Sequence, residues 1–267
     1  MTNLTWIAAD GLAVAQRNLI KIKRVPELLV WVLISPIMFV LLFAYVFGGA
    51  IDVPGLDYRE FLMAGIFTQT VVFGATFTGA GLAEDMQKGI IDRFRSLPMS
   101  RSAVLVGRTS SDVVYNVLSI AIMAITGLVV GWGIHTSVLE AAAGFGLLLL
   151  FAYAFSWVMA LVGLMVPSPE VVNNASFMVI MPLTFISNAF VPSESLPTPL
   201  RIFAEWNPVS AVTQAARNLF GNTSPLAPVP DAWSLQNPEL YTLIWVVVLV
   251  AVFAPLSVRL YKKVATK

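Results

Sequence analysis

The segment 84–108 combines charged and apolar side chains at helical spacing, and it is the part of the chain best suited to binding a protein partner. Written as a helix over 84–97, it carries four apolar residues on one face: Met86, Ile90, Phe94 and Leu97. Four charged residues recur on another face: Asp85, Lys88, Asp92 and Arg95. One face of such a helix can be buried while the other forms ion pairs. Pro98 would end the helix, and the alternative interpretation is an ordinary solvated connection at a membrane surface.

Residues for covalent or metal-dependent catalysis are scarce. The chain has one histidine, His135, in a turn where we expect it to be solvated, and it has no cysteine. Neither a metal centre nor a nucleophilic triad can be assembled from this inventory. The phosphate-binding pattern G-x-x-x-x-G-K-[ST] does not occur in the sequence either. We therefore expect a chain that is not itself an enzyme and binds no cofactor, so that active transport would need a partner to supply the energy.

The composition is that of a multi-spanning membrane protein, with 58% hydrophobic and 12% charged residues over 267 positions. A helix needs about 20 apolar residues to cross a hydrocarbon layer about 30 Å thick. Six segments meet that requirement, at approximately 28–47, 61–81, 113–133, 139–166, 171–190 and 240–260. We therefore predict an all-α polytopic membrane protein with six transmembrane helices in one domain, 1–267.

Basic residues predict the orientation of these spans. All but three of the 16 Lys and Arg residues lie in 1–27, in 84–108 or after residue 258. The exceptions are Arg59, Arg201 and Arg217. Because Lys and Arg concentrate in cytosolic loops, we expect both termini and the segment 84–108 in the cytosol, with the chain in the plasma membrane. Topology accounts for the basic residues, so the net charge of +1 gives no reason to expect a nucleic-acid partner.

Two regions outside the spans carry helical signals. Residues 1–27 place apolar and basic side chains on different faces, which predicts a helix in the cytosolic interface or a simple basic flank. In the outward-facing region 191–239, Thr198 and Asn207 each precede a proline, as an N-cap residue precedes a proline at the first helical position. Gly221 can end the second of these helices, which is too short to cross a bilayer. We expect short re-entrant or surface helices here.

Polar residues within the predicted spans are uncharged. No Asp, Glu, Lys, Arg or His lies near the middle of a span, and we expect water or headgroups to reach Asp112 and Glu140 at span ends. This pattern disfavours a proton-coupled transporter. The second and fifth spans hold the candidate residues of a substrate pathway: Thr68, Gln69, Thr70, Asn173, Asn174, Thr184, Ser187 and Asn188. The same residues could instead form hydrogen bonds between helices. Pro182 predicts a kink in the fifth span.

Three stretches resemble a known family. They are RNLIKIKRVPELLVWVLISPIMFVLLFAYVFGGAI (17–51), DRFRSLPMSRSAVLVGR (92–108) and SNAFVPSESLPTPLRIFAEWNPVSAV (187–212). Together they resemble the permease subunit of the daunorubicin-resistance-type group of type-2 ABC exporters. The resemblance implies a dimer of permeases, identical or paralogous, with six spans each and a separate ATPase subunit docked on each. ATP and Mg would be bound by those ATPase subunits.

The resemblance also assigns roles to residues. The segment after the second span would be the coupling helix that fits a cleft in the ATPase, and Glu170 would make a second cytosolic contact. The implied coupling residues are Glu84, Asp85, Lys88, Asp92, Arg93, Phe94, Arg95, Leu97 and Glu170. The implied function is outward export of an amphipathic drug-like, lipid or polyketide substrate, with membrane lipids as the surroundings. A secondary transporter and a non-transporting membrane assembly or sensor subunit remain as alternatives.

Overall fold

The computed structural model describes residues 34, 37–47, 53–91, 101–166, 168–226 and 230–264. Within these ranges every regular element is helical and no strand occurs. The predicted interfacial helix 1–27 lies outside the described residues, as do positions 28–33, 35 and 36 of the predicted first span and the stretch 92–100. The all-helical class predicted from composition is therefore confirmed for the described part of the chain.

Ten helices are described. They are α1 (Ile37–Val46, whose end merges into a π-helical turn Phe43–Phe47), α2 (Tyr58–Gly74), α3 (Thr76–Gln87), α4 (Arg101–Val130), α5 (Val138–Met165), α6 (Pro169–Phe185), α7 (Thr198–Trp206), α8 (Pro208–Phe220), α9 (Trp233–Gln236) and α10 (Pro238–Val264). A short 3₁₀ turn, Ser193–Ser195, precedes α7.

Four helical segments of the described chain are long and apolar enough to cross a membrane: Tyr58–Gln87, Val104–Val130, Val138–Met165 and Pro238–Lys263. They coincide with the predicted second, third, fourth and sixth spans. The first of them is α2 and α3 together, which are separated only at Ala75. A span of 30 residues such as this exceeds the bilayer core, since a helix rises about 1.5 Å per residue.

The predicted fifth span, 171–190, differs from the structure at its end. Helix α6 has 17 residues and stops at Phe185, and the chain from 186 to 190 is not helical. Pro182 lies inside α6, yet the helix passes through it for one more turn. The prediction followed hydropathy, which continues through Phe190, whereas the helix ends where other elements supply partners for its backbone.

Helix α5 organises the packing, because it contacts α10, α3, α8 and α4. Its start is fixed by a capping box, in which the Ser137 hydroxyl accepts from the Glu140 amide and the Glu140 carboxylate accepts from the Ser137 amide. At the other end, Gly163 lies so close to Gly79 of α3 that a Cβ there would meet the Gly79 carbonyl oxygen at 2.3 Å. Glycine at 163 therefore lets α5 and α3 approach closely.

Helices α7 and α8 test the two predicted N-caps. In α8 the Asn207 side chain accepts from the Val209 amide at 2.9 Å, Pro208 is the first helical residue, and Gly221 ends the helix with φ of 75°. The cap and the end predicted for α8 are thus confirmed. In α7 the prediction is wrong, because Pro197 is the N-cap and Thr198 is already helical, without a side-chain capping bond.

Candidate functional site

The predicted coupling segment begins inside the second span rather than after it. Glu84 and Asp85 belong to α3, which ends at Gln87. Gly89 has φ of 64° and its amide donates to the Met86 carbonyl at 3.0 Å. The prediction of one continuous helix over 84–97 is therefore wrong at Gly89, because a left-handed residue reverses the chain there. Ile90 and Ile91 are helical again, and Asp92, Arg93, Phe94, Arg95 and Leu97 lie outside the described residues.

The coupling residues that are described differ in exposure. Lys88 is exposed and donates to the Glu84 carboxylate, and that hydrogen bond raises the pKa of Lys88. Asp85 is buried, with 8% of its surface exposed, so it is not free to meet a partner in this conformation. Glu170 is exposed in the first turn of α6, where a hydrogen bond from the Ser168 side chain lowers its pKa. Lys88 and Glu170 thus offer charge at two places on the surface.

The candidate pathway residues do not form one polar surface in this chain. Three of them are in α2: Thr68 donates to the Ala64 carbonyl of its own helix, Thr70 to the Met123 sulfur, and Gln69 is buried. Asn173 and Asn174 are exposed on α6. In the described residues no hydrogen bond joins the α2 group to those on α6. The hydroxyls of Thr68 and Thr184 donate to carbonyls of their own helices, so these contacts are neither a shared polar surface nor bonds between helices.

Ser187 and Asn188 lie in the non-helical stretch that follows α6. The Ser187 hydroxyl donates to the Thr184 carbonyl at 2.5 Å. The Asn188 amide donates to the Ser210 hydroxyl at 3.0 Å, and the Asn188 side chain donates to Gln214 at 3.3 Å. Asn188 therefore secures the stretch 186–190 against α8, whereas Ser187 binds it to the end of α6.

Arg217 is the residue that sequence reasoning missed. It was counted only as a basic residue of an outward region, yet it is 2% exposed. Its Nε donates to the Phe61 carbonyl at 2.9 Å, and its Nη2 donates to the carbonyls of Asn188 and Ala189 at 2.7 and 3.1 Å. The guanidinium carbon also lies 3.6 Å from the centroid of the Phe61 ring. We give the name Arg217 cluster to Asn188, which lies in the stretch 186–190, and to the four residues of α8 and its N-cap that surround this stretch: Asn207, Ser210, Gln214 and Arg217.

The Arg217 cluster supplies hydrogen bonds that α6 lacks after its end. The Asn207 side chain donates to the carbonyls of Leu183 and Ile186 at 2.7 and 2.9 Å. Tyr58 adds a bond from its hydroxyl to the Phe190 carbonyl at 3.0 Å. Irregular backbone inside a membrane protein is stable only when protein groups or water satisfy it. The polar positions 207, 210, 214 and 217 share one face of α8 at spacings of three and four, and that pattern is the signal that could have revealed the cluster.

Asp112 corrects a second prediction. It was expected at the water-accessible end of a span, but it is buried with 8% of its surface exposed. The reason is that α4 begins at Arg101, well before the apolar run, so Asp112 lies inside a helix that packs against α2 and α3. Glu140, in contrast, is exposed at the first turn of α5, as predicted.

A small polar network surrounds Asp112. The Thr78 hydroxyl donates to Oδ2 of Asp112, and Arg108 Nε lies 3.7 Å from the same oxygen. Arg108 Nη2 donates to the Phe77 carbonyl at 2.8 Å, and the Asn116 side chain donates to the Asp112 carbonyl at 2.9 Å. We call Thr78, Arg108, Asp112 and Asn116 the Asp112 seam. Three of its members recur every fourth residue on α4, which places them on one helix face.

His135 has the exposure expected of it and a partner that was not expected. Its side chain is half exposed and its Nε2 lies 2.7 Å from the Glu60 carboxylate. Across the described ranges, no group of three or more His, Cys, Asp or Glu residues is placed to hold a metal ion.

Comparisons with known proteins agree with this architecture. Residues 11–220 match the family model described as ABC-2 type transporter. The chain is 33% identical over 246 residues to the daunorubicin resistance ABC transporter permease protein DrrB1 of Streptomyces coeruleorubidus, with 92% of this chain and 83% of that protein covered. It is 24% identical to the putative transport permease ycf38 of Porphyra purpurea, covering 79% and 74% of the two chains. It is 22% identical to the probable doxorubicin resistance ABC transporter permease protein DrrC of Mycobacterium tuberculosis, covering 74% and 71%.

Proposed function

Because this chain belongs to the ABC-2 type transporter permease family, we propose that it is the membrane-spanning subunit of an exporter driven by a separate ATP-binding cassette subunit. The observation that carries the proposal is the similarity to a drug-resistance permease over 92% of the chain. A match of that extent includes the spans and the segment between the second and third of them. The apolar helices of the described chain agree with a place in the membrane.

The energy for transport would come from the partner. Two ATPase subunits would bind ATP and Mg, and two permease chains, identical or paralogous, would form the pathway between them. In this arrangement both termini and the segment 84–108 face the cytosol of a cell whose plasma membrane holds the complex. The concentration of Lys and Arg in those regions supports this orientation.

The contact with the ATPase would be made by Glu84, Asp85, Lys88, Asp92, Arg93, Phe94, Arg95, Leu97 and Glu170. Exposed charge at Lys88 and Glu170 supports this assignment for the described part of the set. Phe94 would supply an apolar anchor among the charged residues, as buried aromatic residues commonly do in interfaces. Closure of the ATPase dimer on ATP would then move this segment and switch the pathway between inward and outward access.

The substrate would be an amphipathic molecule such as a drug, a lipid or a polyketide. Two of the relatives are named for resistance to daunorubicin and doxorubicin, which supports a drug-like substrate. The polar residues proposed for the pathway are uncharged: Thr68, Gln69, Thr70, Asn173, Asn174, Thr184, Ser187 and Asn188. Such a lining suits a largely apolar substrate held by packing and a few hydrogen bonds. Exposed Asn173 and Asn174 are the positions of this set most open to a substrate or to a second chain.

The experiment is affinity purification of the tagged chain from its native membrane in mild detergent, followed by assay of the eluate for an ATPase subunit and for ATP hydrolysis. Wild type is compared with the double variant Asp92→Arg, Arg95→Asp. We expect a stoichiometric ATPase with the wild type and its loss from the double variant, because reversed charges repel the partner surface that the native charges fit.

Asp231→Lys is the matched control. The Asp231 side chain is 93% exposed and, in the proposed topology, faces the side opposite the ATPase. This variant should retain the ATPase at wild-type level. A wild-type chain that purifies alone from cells producing every candidate ATPase would refute the exporter and favour a secondary transporter or a non-transporting subunit. Retention of an active ATPase by the double variant would refute only the coupling role of Asp92 and Arg95.

A further inference from the structure

The Asp112 seam lies between the two helices that enter and leave the segment 84–108. Helix α3 ends at Gln87 and helix α4 begins at Arg101. Any displacement of that segment must therefore pass into the membrane through α3, through α4 or through both together. Whether the two helices move separately or as one unit depends on what joins them.

Three contacts of the seam join the helices in antiparallel order. Thr78 binds Asp112 through a hydrogen bond. On one side of this pair, a Cβ at Gly81 would lie 1.8 Å from Nη2 of Arg108. On the other side, a Cβ at Gly74 would lie 2.5 Å from Oδ1 of Asn116. A side chain at either position would push Arg108 or Asn116 aside, so these polar side chains of α4 lie directly on the backbone of the second span.

The contacts also bracket the one interruption of the second span. Gly74 is the last residue of α2, Thr78 and Gly81 belong to α3, and Ala75 separates the two helices. The seam thus holds both parts of the second span against a single continuous helix, α4. A bend at Ala75 during transport would have to break the contact of Asn116 or that of Asp112.

The chemistry of the seam exceeds what packing requires. A carboxylate among spanning helices is costly, and ionisable residues kept there usually serve a function. Helices can be held together by apolar side chains of similar volume at no loss of stability. Moreover, Nε of Arg108 and Oδ1 of Asn116 have no hydrogen-bond partner among the described residues, although both atoms are buried. Buried polar groups without partners are costly, so this network adds little to the stability of the helix pair.

We propose that the Asp112 seam makes the second and third spans move as one unit when the partner ATPase displaces the segment 84–108. Asp112 is then a positioning residue for transport, which acts through helix α3 and touches neither substrate nor nucleotide. The proposal rests on the proposed function, because it needs an ATPase that moves the segment. Its prediction is that disruption of the seam separates ATP hydrolysis from the movement of the membrane helices.

The test measures movement directly and needs no substrate. The complex of chain and ATPase is subjected to hydrogen–deuterium exchange with and without ATP and orthovanadate, and the readout is the nucleotide-dependent difference in segment 186–226. In Asp112→Asn the charge-assisted bond from Thr78 becomes a neutral bond that is about half as strong, and Arg108 loses the carboxylate that faces it, so the contact between α3 and α4 weakens while the side-chain volume is kept. We expect the difference to fall about threefold or more, as mutations along a coupling route commonly cause. Yield of the complex and ATP hydrolysis should stay at wild-type level.

A rescue distinguishes positioning from a general loss of stability. Phe77 and Tyr115 flank the seam, with their ring centroids 4.9 Å apart, and the chain has no native cysteine. In Asp112→Asn carrying Phe77→Cys and Tyr115→Cys, a short bifunctional methanethiosulfonate should rejoin the helices and restore the exchange difference. The same reagent on either single-cysteine variant should restore nothing.

Each outcome decides for or against the proposal. An unchanged nucleotide-dependent exchange difference in Asp112→Asn overturns the proposal. So does loss of that difference when residues 77 and 115 are cross-linked in a chain that keeps Asp112, because transport would then require the two helices to separate. If Asp112→Asn does not accumulate, Thr78→Val removes the hydrogen bond between α3 and α4 and keeps the carboxylate, and it should reduce the difference in the same direction. A chain that carries no ATPase refutes the proposed function and this proposal together, whereas an active complex insensitive to the seam refutes this proposal alone.

Discussion

Arg217 and Arg108 bind different kinds of partner: backbone carbonyls in one case and a carboxylate in the other. Arg217 donates to three backbone carbonyls and forms no ion pair within the described residues. Arg108 donates to one carbonyl and faces the carboxylate of Asp112 at 3.7 Å. Arg217 is 2% exposed, whereas the Arg108 side chain is 14% exposed. The first arginine is bound to backbone, and the second is paired with a side chain that has further partners.

The difference teaches what each arginine stabilises. Two of the carbonyls bound by Arg217, those of Asn188 and Ala189, belong to the stretch where α6 has ended, so the guanidinium supplies bonds that a continuing helix would have made. The third, that of Phe61, lies in the first turn of α2, and its bond ties α2 to α8. The Asp112 seam instead joins helices whose own backbone bonds are mostly complete. Loss of the Arg217 cluster should therefore lower the free energy of unfolding. Loss of the Asp112 seam should instead change how the second and third spans are positioned relative to each other.

The largest effect is expected for Arg217→Met, which keeps much of the side-chain volume and removes every donor. A buried acceptor left without a partner costs about 1–3 kcal/mol, so loss of the bonds to the Asn188 and Ala189 carbonyls should lower the free energy of unfolding by about 2–6 kcal/mol. The midpoint of thermal unfolding in detergent measures this. Arg217→Lys keeps a charge and some of the bonds and should recover part of the loss. A midpoint close to wild type in Arg217→Met would contradict the role given to the cluster.

Asn207→Ala should come second. It removes two donors to the carbonyls that end α6 and the acceptor that caps α8, with an expected loss of about 2 kcal/mol. Asn207→Asp separates the two contributions, because the carboxylate keeps the cap and lacks the amide donors. The same thermal midpoint is measured. Equal losses in both variants would assign the effect to the carbonyls, and full stability of Asn207→Asp would assign it to the cap.

Thr78→Val tests the Asp112 seam by the same thermal midpoint, which should fall less than in the two variants above. Hydrogen bonds between helices in a membrane average about 0.6 kcal/mol, so the midpoint should shift by little. Thr109→Val is a matched control, since the Thr109 hydroxyl donates only to carbonyls of its own helix, at 3.1 Å. A loss from Thr78→Val as large as that from Arg217→Met would show that the seam also holds the fold, and the contrast between the two arginines would disappear.

The smallest effect is expected for Lys88→Ala. Lys88 is exposed and pairs with Glu84 on the surface, where ion pairs are screened by water and add little to stability. The thermal midpoint should not change measurably, although the ATPase contact proposed for Lys88 should weaken. Pull-down of the ATPase with the variant measures the second part. An unchanged contact would remove Lys88 from the coupling residues.

The local features of this fold could be predicted from the sequence. The second, third, fourth and sixth spans follow from runs of apolar residues, because a bilayer imposes their length on each helix independently. The Asn207 cap and the Gly221 end of α8 follow from the residues at those positions. Membership in the permease family was also predicted, from three motifs in 17–51, 92–108 and 187–212.

What only the tertiary structure decided is the role of the charged residues. Arg217 lies 156 positions from Phe61, whose carbonyl it binds, and Thr78 lies 34 positions from Asp112. Hydropathy and spacing report on neighbours along one helix, so they predict Arg217 in a short outward-facing helix and Asp112 at a water-accessible helix end, without the partners of either. The end of α6 at Phe185 depends in the same way on partners brought together by folding. Burial of a charge is a property of the elements packed around it, and no single segment of the sequence contains that information.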